Sequence, residues 1–310
     1  MKKLIYFLIL LSFVSSVTGQ TKISCAVGRY EKDVFAAVGK KTVPYASNKG
    51  WNGENINLEA NIYEPTDDTA ALRPLIIFAH GGGFVSGKKE DMAFFCNQFS
   101  KKGYVTASIQ YRLIPLDKLT DISNMKREIV KAMRDFKAAI RYFRANAKTY
   151  KIDPNNIFIG GVSAGAITAL HVGLLDENDQ MPDDFAQFVA NEGGLESVKV
   201  KGVINYSGSI LEESWIDKSD APVFSYHGTA DEVVPIGYGV TGRSFKMFGS
   251  ESIKNKADEV GLFSLLVKVP SGGHTNIYLD ASYAGYYIDF HRQVNTKMRS
   301  MLCGRAKANK

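Results

Sequence analysis

Ser163 stands in Gly161-Val162-Ser163-Ala164-Gly165, a serine with a glycine two residues away on each side. A serine hydroxyl is a weak nucleophile. It attacks a carbonyl only when a base takes its proton and when donors receive the charge that moves onto the substrate oxygen. The chain has five histidines that could be that base. His80 belongs to a glycine turn, His171 lies two turns along the segment after Ser163, and His291 falls in the middle of a helix-like stretch. His227 opens His-Gly-Thr-Ala-Asp and is expected to hold that loop. His274, in Pro270-Ser271-Gly272-Gly273-His274, is the one in a flexible turn beyond a strand-like run, and it is the candidate base. A carboxylate must fix its tautomer and stabilise the imidazolium. Asp231 is the candidate, with Glu232 as its weaker neighbour. Donors for the oxyanion are expected from His80-Gly81-Gly82-Gly83-Phe84, where three consecutive glycines carry an entropic cost that some local geometry should require. The backbone amides of Gly82, Gly83 and Ala164 are the candidate oxyanion hole. The chemistry these groups can do together is acyl transfer.

Such residues work only if the chain brings them to one place. Before Ser163, Asp153-Pro154-Asn155-Asn156 is turn chemistry and Ile157-Phe158-Ile159 is the short apolar run of a buried parallel strand; a helix-prone run, Ala166 to Leu170, follows the serine. A strand that turns sharply into a helix at Ser163 presents its hydroxyl beyond the sheet, at a helix N-terminus that favours negative charge. Pro74 to Ala79 and Tyr104 to Ile109 are further continuous apolar runs, and Ile56 to Tyr63 alternates apolar and polar as a half-exposed antiparallel strand does. Val34–Val38 and Lys41–Tyr45 read as strand pieces. Met92–Lys101 reads as a helix, and Asp121–Lys148 as a long amphipathic one, with Ile129, Met133, Phe136, Ile140 and Phe143 at helical spacing. Beyond Ser163, Asp176–Ser197 reads as a polar, irregular excursion. Strands are expected at Val200–Tyr206, Pro222–His227 and Leu262–Val269, with helices at Glu251–Val260 and Ala281–Met301. Strands alternate with helices, so the expectation is an α/β fold with a mainly parallel sheet of about eight strands and helices on both faces. Ser163, Asp231 and His274 then follow three successive strands and share the carboxyl edge, where open α/β sheets bind ligands.

Composition narrows the setting. Met1-Lys2-Lys3, an apolar run from Leu4 to Val14 and small residues up to Gly19 read as a signal peptide, residues 1–19, followed by a single domain over 20–310. The apolar run is short for a membrane span, and no later stretch is long and apolar enough, so the expected product is secreted or periplasmic and not inserted in a membrane. Losing Lys2 and Lys3 lowers the net charge from +6 to +4, and the basic residues are scattered, which gives no support to nucleic-acid binding. Three cysteines in an oxidising compartment allow at most one internal bridge. Cys25 and Cys303, near the two chain ends, are the expected pair. Cys96, in Phe94-Phe95-Cys96, is expected to be a buried thiol.

Taken together, His80 to Phe84, Tyr111-Arg112-Leu113, Asp135 with Arg141, Gly161 to Gly165, His227 to Pro235 and Gly273-His274 resemble the α/β-hydrolase superfamily. The resemblance is to its carboxylesterase/lipase type with a His-Gly-Gly-Gly oxyanion motif, and it runs in order from about Ile56 to His274. It implies the α/β-hydrolase fold, Ser163 as nucleophile, His274 as base, Asp231 as acid and Gly82, Gly83 and Ala164 as oxyanion donors. It implies no metal and no organic cofactor. Residues 20–54 look too few and too strand-like for the helical cap of some relatives, so little or no cap is expected. The expected activity is that of a serine carboxylesterase on short-acyl esters, small or polysaccharide-linked, with acetyl preferred to butyryl. Rival readings are an acetyl or feruloyl esterase acting on polysaccharide, a serine peptidase of similar fold, and a binding module that has lost its chemistry.

Overall fold

Along one strand Leu75, Ile77 and Ala79 alternate with Ile76 and Phe78, all fully buried, and the alternation divides the interior in two. The odd residues join one apolar core and the even ones another, so a single sheet is covered on both faces. The computed structural model describes residues 22–118, 122–194, 198–241 and 246–304; the expected leader, residues 1–19, lies outside them.

In chain order the strands are β1 (Val38–Lys49), β2 (Asn55–Pro65), β3 (Arg73–Ala79), β4 (Val105–Ile109), β5 (Ile152–Val162), β6 (Val203–Tyr206), β7 (Ser209–Ile210), β8 (Val223–Gly228), β9 (Tyr238–Val240), β10 (Lys246–Gly249) and β11 (Ser264–Val269). Eight of them form one sheet in the order β1-β2-β4-β3-β5-β6-β8-β11. β1 and β2 are antiparallel, as are β2 and β4; from β4 to β11 every neighbouring pair is parallel. This is the mainly parallel sheet that the sequence pattern predicts and the α/β-hydrolase fold that the resemblance implies.

The helices are α1 (Ala93–Ser100), α2 (Ile122–Ala145), α3 (Ala164–Leu174), α4 (Asp183–Asn191), α5 (Ser250–Val260), α6 (Asn276–Leu279) and α7 (Ala284–Cys303). α2 buries Ile129, Met133, Phe136, Ile140 and Phe143, which joins it to the same core as α3 and α5. α1 and α7 cover the opposite face through Phe95, Phe99, Phe290, Val294 and Met298. Each such side chain contributes about 1.5–3 kcal/mol by leaving water. Among the described residues no helix is long and apolar enough to cross a membrane.

Three sequence expectations need correction. Val34 to Ala37 lie in turn and coil, and the first strand begins only at Val38. The stretch Asp176–Ser197 is not irregular throughout, because Asp183–Asn191 is helix α4. Asp183 and Asp184 sit in its first turn, where they complement the helix dipole. Phe185 and Val189 face inward, and the Phe185 ring lies 5.6 Å from that of Trp215, so this helix closes the core and is no lid. Lastly, Asp135 pairs with Arg112, at 2.9 Å, where the sequence resemblance matched it with Arg141. Cys25 is bonded to Cys303, and Cys96 is a buried free thiol.

Candidate active site

β5 runs straight into α3 with only Ser163 between them, at φ 54° and ψ −119°. A side-chain-bearing residue in this region carries about 1–3 kcal/mol of backbone strain, which the surroundings must hold. They do so tightly. The Ser163 amide donates to the Tyr206 carbonyl at 2.9 Å, and its carbonyl accepts from the Ile167 amide at 2.8 Å. A Cβ on Gly161 would sit 2.4 Å from the Gly165 carbonyl carbon, and one on Gly165 would sit 2.1 Å from the Ala79 carbonyl oxygen. Only glycine fits at either place.

The turn aims the Ser163 hydroxyl at the loop after β11. Its Oγ–H donates to His274 Nε2 at 2.8 Å, and His274 Nδ1–H donates to Asp231 Oδ2 at 2.7 Å. The tautomer follows from the partners: a carboxylate can only accept, so the proton sits on Nδ1. The loops that carry the two residues are tied to each other. The Ala230 amide donates to the Gly272 carbonyl at 2.8 Å, and the Ser271 amide to Thr229 Oγ1 at 2.9 Å. α6 is anchored behind them, with the Tyr226 hydroxyl donating to the Ile277 carbonyl and the Tyr278 hydroxyl 2.7 Å from Ser207 Oγ. Asp231 is buried. Burial alone would raise its carboxyl, yet hydrogen bonds from His227, His274 and the Val234 amide outweigh it and hold the group well below the usual carboxylate range. Glu232 is exposed.

The glycine turn passes against the serine, since a Cβ on Gly81 would lie 3.4 Å from Ser163 Cβ. Gly82 and Gly83 take φ of 104° and 60°, and Val85 and Ser86 both donate their amides to the Gly82 carbonyl. Among the described residues, the Gly82 and Gly83 amides have no protein acceptor; Ala164 is the first residue of α3, so its amide has no helical one. The three sequence-predicted donors therefore keep their N–H groups free of these acceptors. His80 is the support beneath the turn. Its ring stacks on Tyr111 at 4.3 Å, the Tyr111 hydroxyl donates to its carbonyl at 2.8 Å, and burial lowers its pKa, keeping the imidazole neutral.

Of the remaining histidines, two are committed elsewhere. His171 lies within 2.7 Å of the Ile167 carbonyl, and burial pushes it down to about 4; His291 bonds the Tyr206 hydroxyl, and burial pushes it down to about 3. His227 reaches Asp231 itself, at 3.2 Å, a contact that sequence spacing alone did not disclose. Beside the serine, Gly81, Gly82, Val162, Met92, Phe95 and Tyr278 wall a cavity of about 380 Å³, with Asp91 and Ser86 at its polar side. Among the described residues no group of three or more His, Cys, Asp and Glu side chains is placed to hold a metal.

Residues 60–211 match the protein family described as BD-FAE. Over 147 residues the chain is 29% identical to a probable isoprenylcysteine alpha-carbonyl methylesterase of Oryza sativa subsp. japonica, spanning 46% of this chain and 32% of that protein. Over 116 residues it is 32% identical to a juvenile hormone esterase of Heliothis virescens, spanning 36% and 20%. The chain thus covers a fifth to a third of these relatives' length. A thermophilic esterase of Thermogutta terrifontis shares the fold, with a TM-score of 0.62, 20% identity, and coverage of 88% of this chain and 95% of that one.

Proposed function

We infer, from the likeness of this chain to carboxylesterases of the α/β-hydrolase superfamily, that it hydrolyses carboxylic esters through an acyl-enzyme on Ser163. The observation that carries this reading is the unbroken hydrogen-bonded line from Ser163 through His274 to Asp231. His274 Nε2 takes the hydroxyl proton as Ser163 Oγ attacks the ester carbonyl carbon. The amides of Gly82, Gly83 and Ala164 receive the oxyanion, and each such donor lowers the barrier by about 3–4 kcal/mol. The C–O bond to the alcohol then breaks, and His274 returns its proton to the leaving oxygen. A water, deprotonated by the same nitrogen, releases the acid from Ser163.

The substrate we propose is an ester with one small and one bulky substituent. The cavity of about 380 Å³ beside the glycine turn exceeds what an acetyl group fills, and its Met92, Phe95 and Tyr278 walls suit a ring. We assign the bulky side to the alcohol, a sugar or an aromatic ring, and the acyl side to acetate. An exported protein is the setting proposed, supported by the leader-like residues 1–19 and by the Cys25–Cys303 bridge.

The decisive measurement is hydrolysis of p-nitrophenyl acetate by the wild type and by Ser163→Ala. The substitution is expected to lower kcat by about 10⁴–10⁶. Wild-type turnover in a folded Ser163→Ala protein would sink the assignment. A series of p-nitrophenyl esters then tests the acyl side. kcat/KM is expected to fall from acetate to butyrate, and a steady rise through octanoate would put the acyl chain in the cavity instead. EDTA is expected to leave the rate unchanged.

A further inference from the structure

Behind Asp231 lies a second, wholly buried histidine whose hydrogen bonds leave no freedom in where its proton sits. His227 Nε2 lies 2.8 Å from the Val234 carbonyl oxygen, which can only accept, so Nε2 carries the hydrogen. The same nitrogen lies 3.2 Å from Asp231 Oδ2, the oxygen that also receives His274, and it is among the groups that hold the Asp231 carboxyl low. Nδ1, then bare, lies 2.7 Å from Ser250 Oγ, whose hydroxyl must donate to it. The Ser250 oxygen in turn accepts from Asn205 Nδ2 at 2.9 Å. The other hydrogen of that amide goes to Ser225 Oγ at 3.0 Å, and Asn205 Oδ1 accepts from the Gly208 amide at 2.8 Å. His227, Asn205, Ser225 and Ser250 are each at most 1% exposed. The Val234 carbonyl can only accept and Asn205 Nδ2 can only donate; since the Ser250 oxygen already accepts from Asn205, its hydroxyl hydrogen is left for Nδ1, and the chain takes one consistent direction.

We propose that His227 is a positioning residue for the acyl-transfer reaction, a neutral Nε2–H donor that holds Asp231 in place and ionised opposite His274. The proposal rests on the serine-hydrolase reading above. Asp231 Oδ1 already accepts from the Val233 and Val234 amides, both at 2.9 Å. With His274 bonded to Oδ2 and His227 3.2 Å from it, both carboxylate oxygens have partners that favour the ionised form. Ser250 opens α5 and Asn205 lies in β6, so the alignment of the acid draws on the sheet and a helix as well as on its own loop.

The test has two arms. Ring ¹⁵N NMR of the histidine-labelled full chain at pH 8 is expected to show His227 protonated at Nε2 and bare at Nδ1; an Nδ1–H tautomer overturns the proposal whether or not the protein turns over esters. His227→Phe keeps a ring but no donor. It is expected to lower kcat about ten- to a hundredfold, the loss typical for an outer partner of a site residue. KM should stay near its wild-type value, and the low-pH limb of kcat/KM should move to higher pH, because a carboxylate short of one donor holds the imidazolium more strongly. His227→Gln, which can place an N–H near the lost Nε2, is expected to restore most of the loss. Should the Phe variant not fold, Ser250→Ala leaves the ring in place and is expected to give a smaller drop of the same kind. Labelling of Ser163 by a fluorophosphonate provides a parallel rate that needs no ester turnover. A His227→Phe protein with wild-type kcat, labelling rate and pH profile overturns the proposal alone. A wild type inert toward both ester and fluorophosphonate overturns the reading beneath it, and the proposal with it.

Discussion

Asp231 and Glu128 are both buried acids, and burial pushes each toward its protonated form, yet they end on opposite sides of neutrality. Asp231, past the end of β8, collects two amide donors and the His274 N–H, with the His227 ring 3.2 Å away, and stays well below the usual carboxylate range. Glu128, inside α2, accepts one bond, from Trp51 Nε1 at 2.6 Å, and its Oε1 has no hydrogen-bond partner among the described residues. Burial dominates there; Trp51 and Lys131 offset it only in part, and the group is pushed up to about 8. The carboxyl edge of the sheet is supplied with donors that keep a negative charge in place next to His274. The α2 face holds its acids for a different purpose, tying α2 to the first strands. There Asp135 pairs with Arg112, which also reaches Glu192 and the Lys49 carbonyl.

If the comparison is right, damage at the two regions should appear in different measurements. Asp231→Asn should give the largest effect, a fall in kcat of about 10⁴ with the fold kept, because the amide cannot hold the His274 tautomer. Steady-state kinetics beside a thermal melt would show it, and a comparable loss in Glu232→Gln would mean that the wrong acid has been named. Arg112→Met should reverse the pattern. Leaving Asp135 buried without its cation should destabilise the protein by about 3–5 kcal/mol in urea unfolding, while kcat per folded molecule changes far less than in Asp231→Asn.

Glu128→Gln should give a smaller effect that depends on pH. The folded Glu128 keeps its proton up to about 8, whereas the unfolded chain loses it near 4.5. Stability from this group is therefore fully present below 4.5 and is lost as pH rises from there to about 8. The variant should flatten that slope and gain on the wild type by up to a few kcal/mol at pH 9. Asp231 works in the other direction. Its folded value lies below the ordinary 3.8, so its contribution is present above that pH and fades only as pH falls below it. Urea unfolding of wild type, Glu128→Gln and Asp231→Asn across pH 2–9 would separate the two windows, that of Asp231 below 3.8 and that of Glu128 between 4.5 and about 8. Parallel slopes in all three would mean that the two acids do not differ as described.

The sequence disclosed the central sheet because strands covered on both faces must be apolar throughout, as Leu75 to Phe78 and Ile157 to Ile159 are. Ser163, Asp231 and His274 were legible as a set because three strands in order bring their ends to one edge. The rest was hidden for identifiable reasons. α4 places Phe185, Phe188 and Val189 in a segment otherwise rich in Asp, Asn and Gln, too few apolar residues to display a period. β7, β9 and β10 form a separate small sheet of strands two to four residues long, shorter than any alternation can register. Asp135 and Arg141 are six apart on one helix, which sets them on different faces, and the true partner Arg112 comes from the segment after β4. The tautomer of His227 depends on the Val234 carbonyl and Ser250, and residue types do not encode that geometry.

The bond between Cys25 and Cys303 spans 278 positions, which makes the described polypeptide very nearly a closed loop. A linear enzyme nicked once by a protease falls into two fragments that can drift apart. Here a single cut anywhere between the two cysteines leaves one covalent molecule with new ends, and Ser163 and His274 remain tethered to each other whichever surface turn is severed. Such a circular connection converts a single cleavage from a terminal event into a tolerable one.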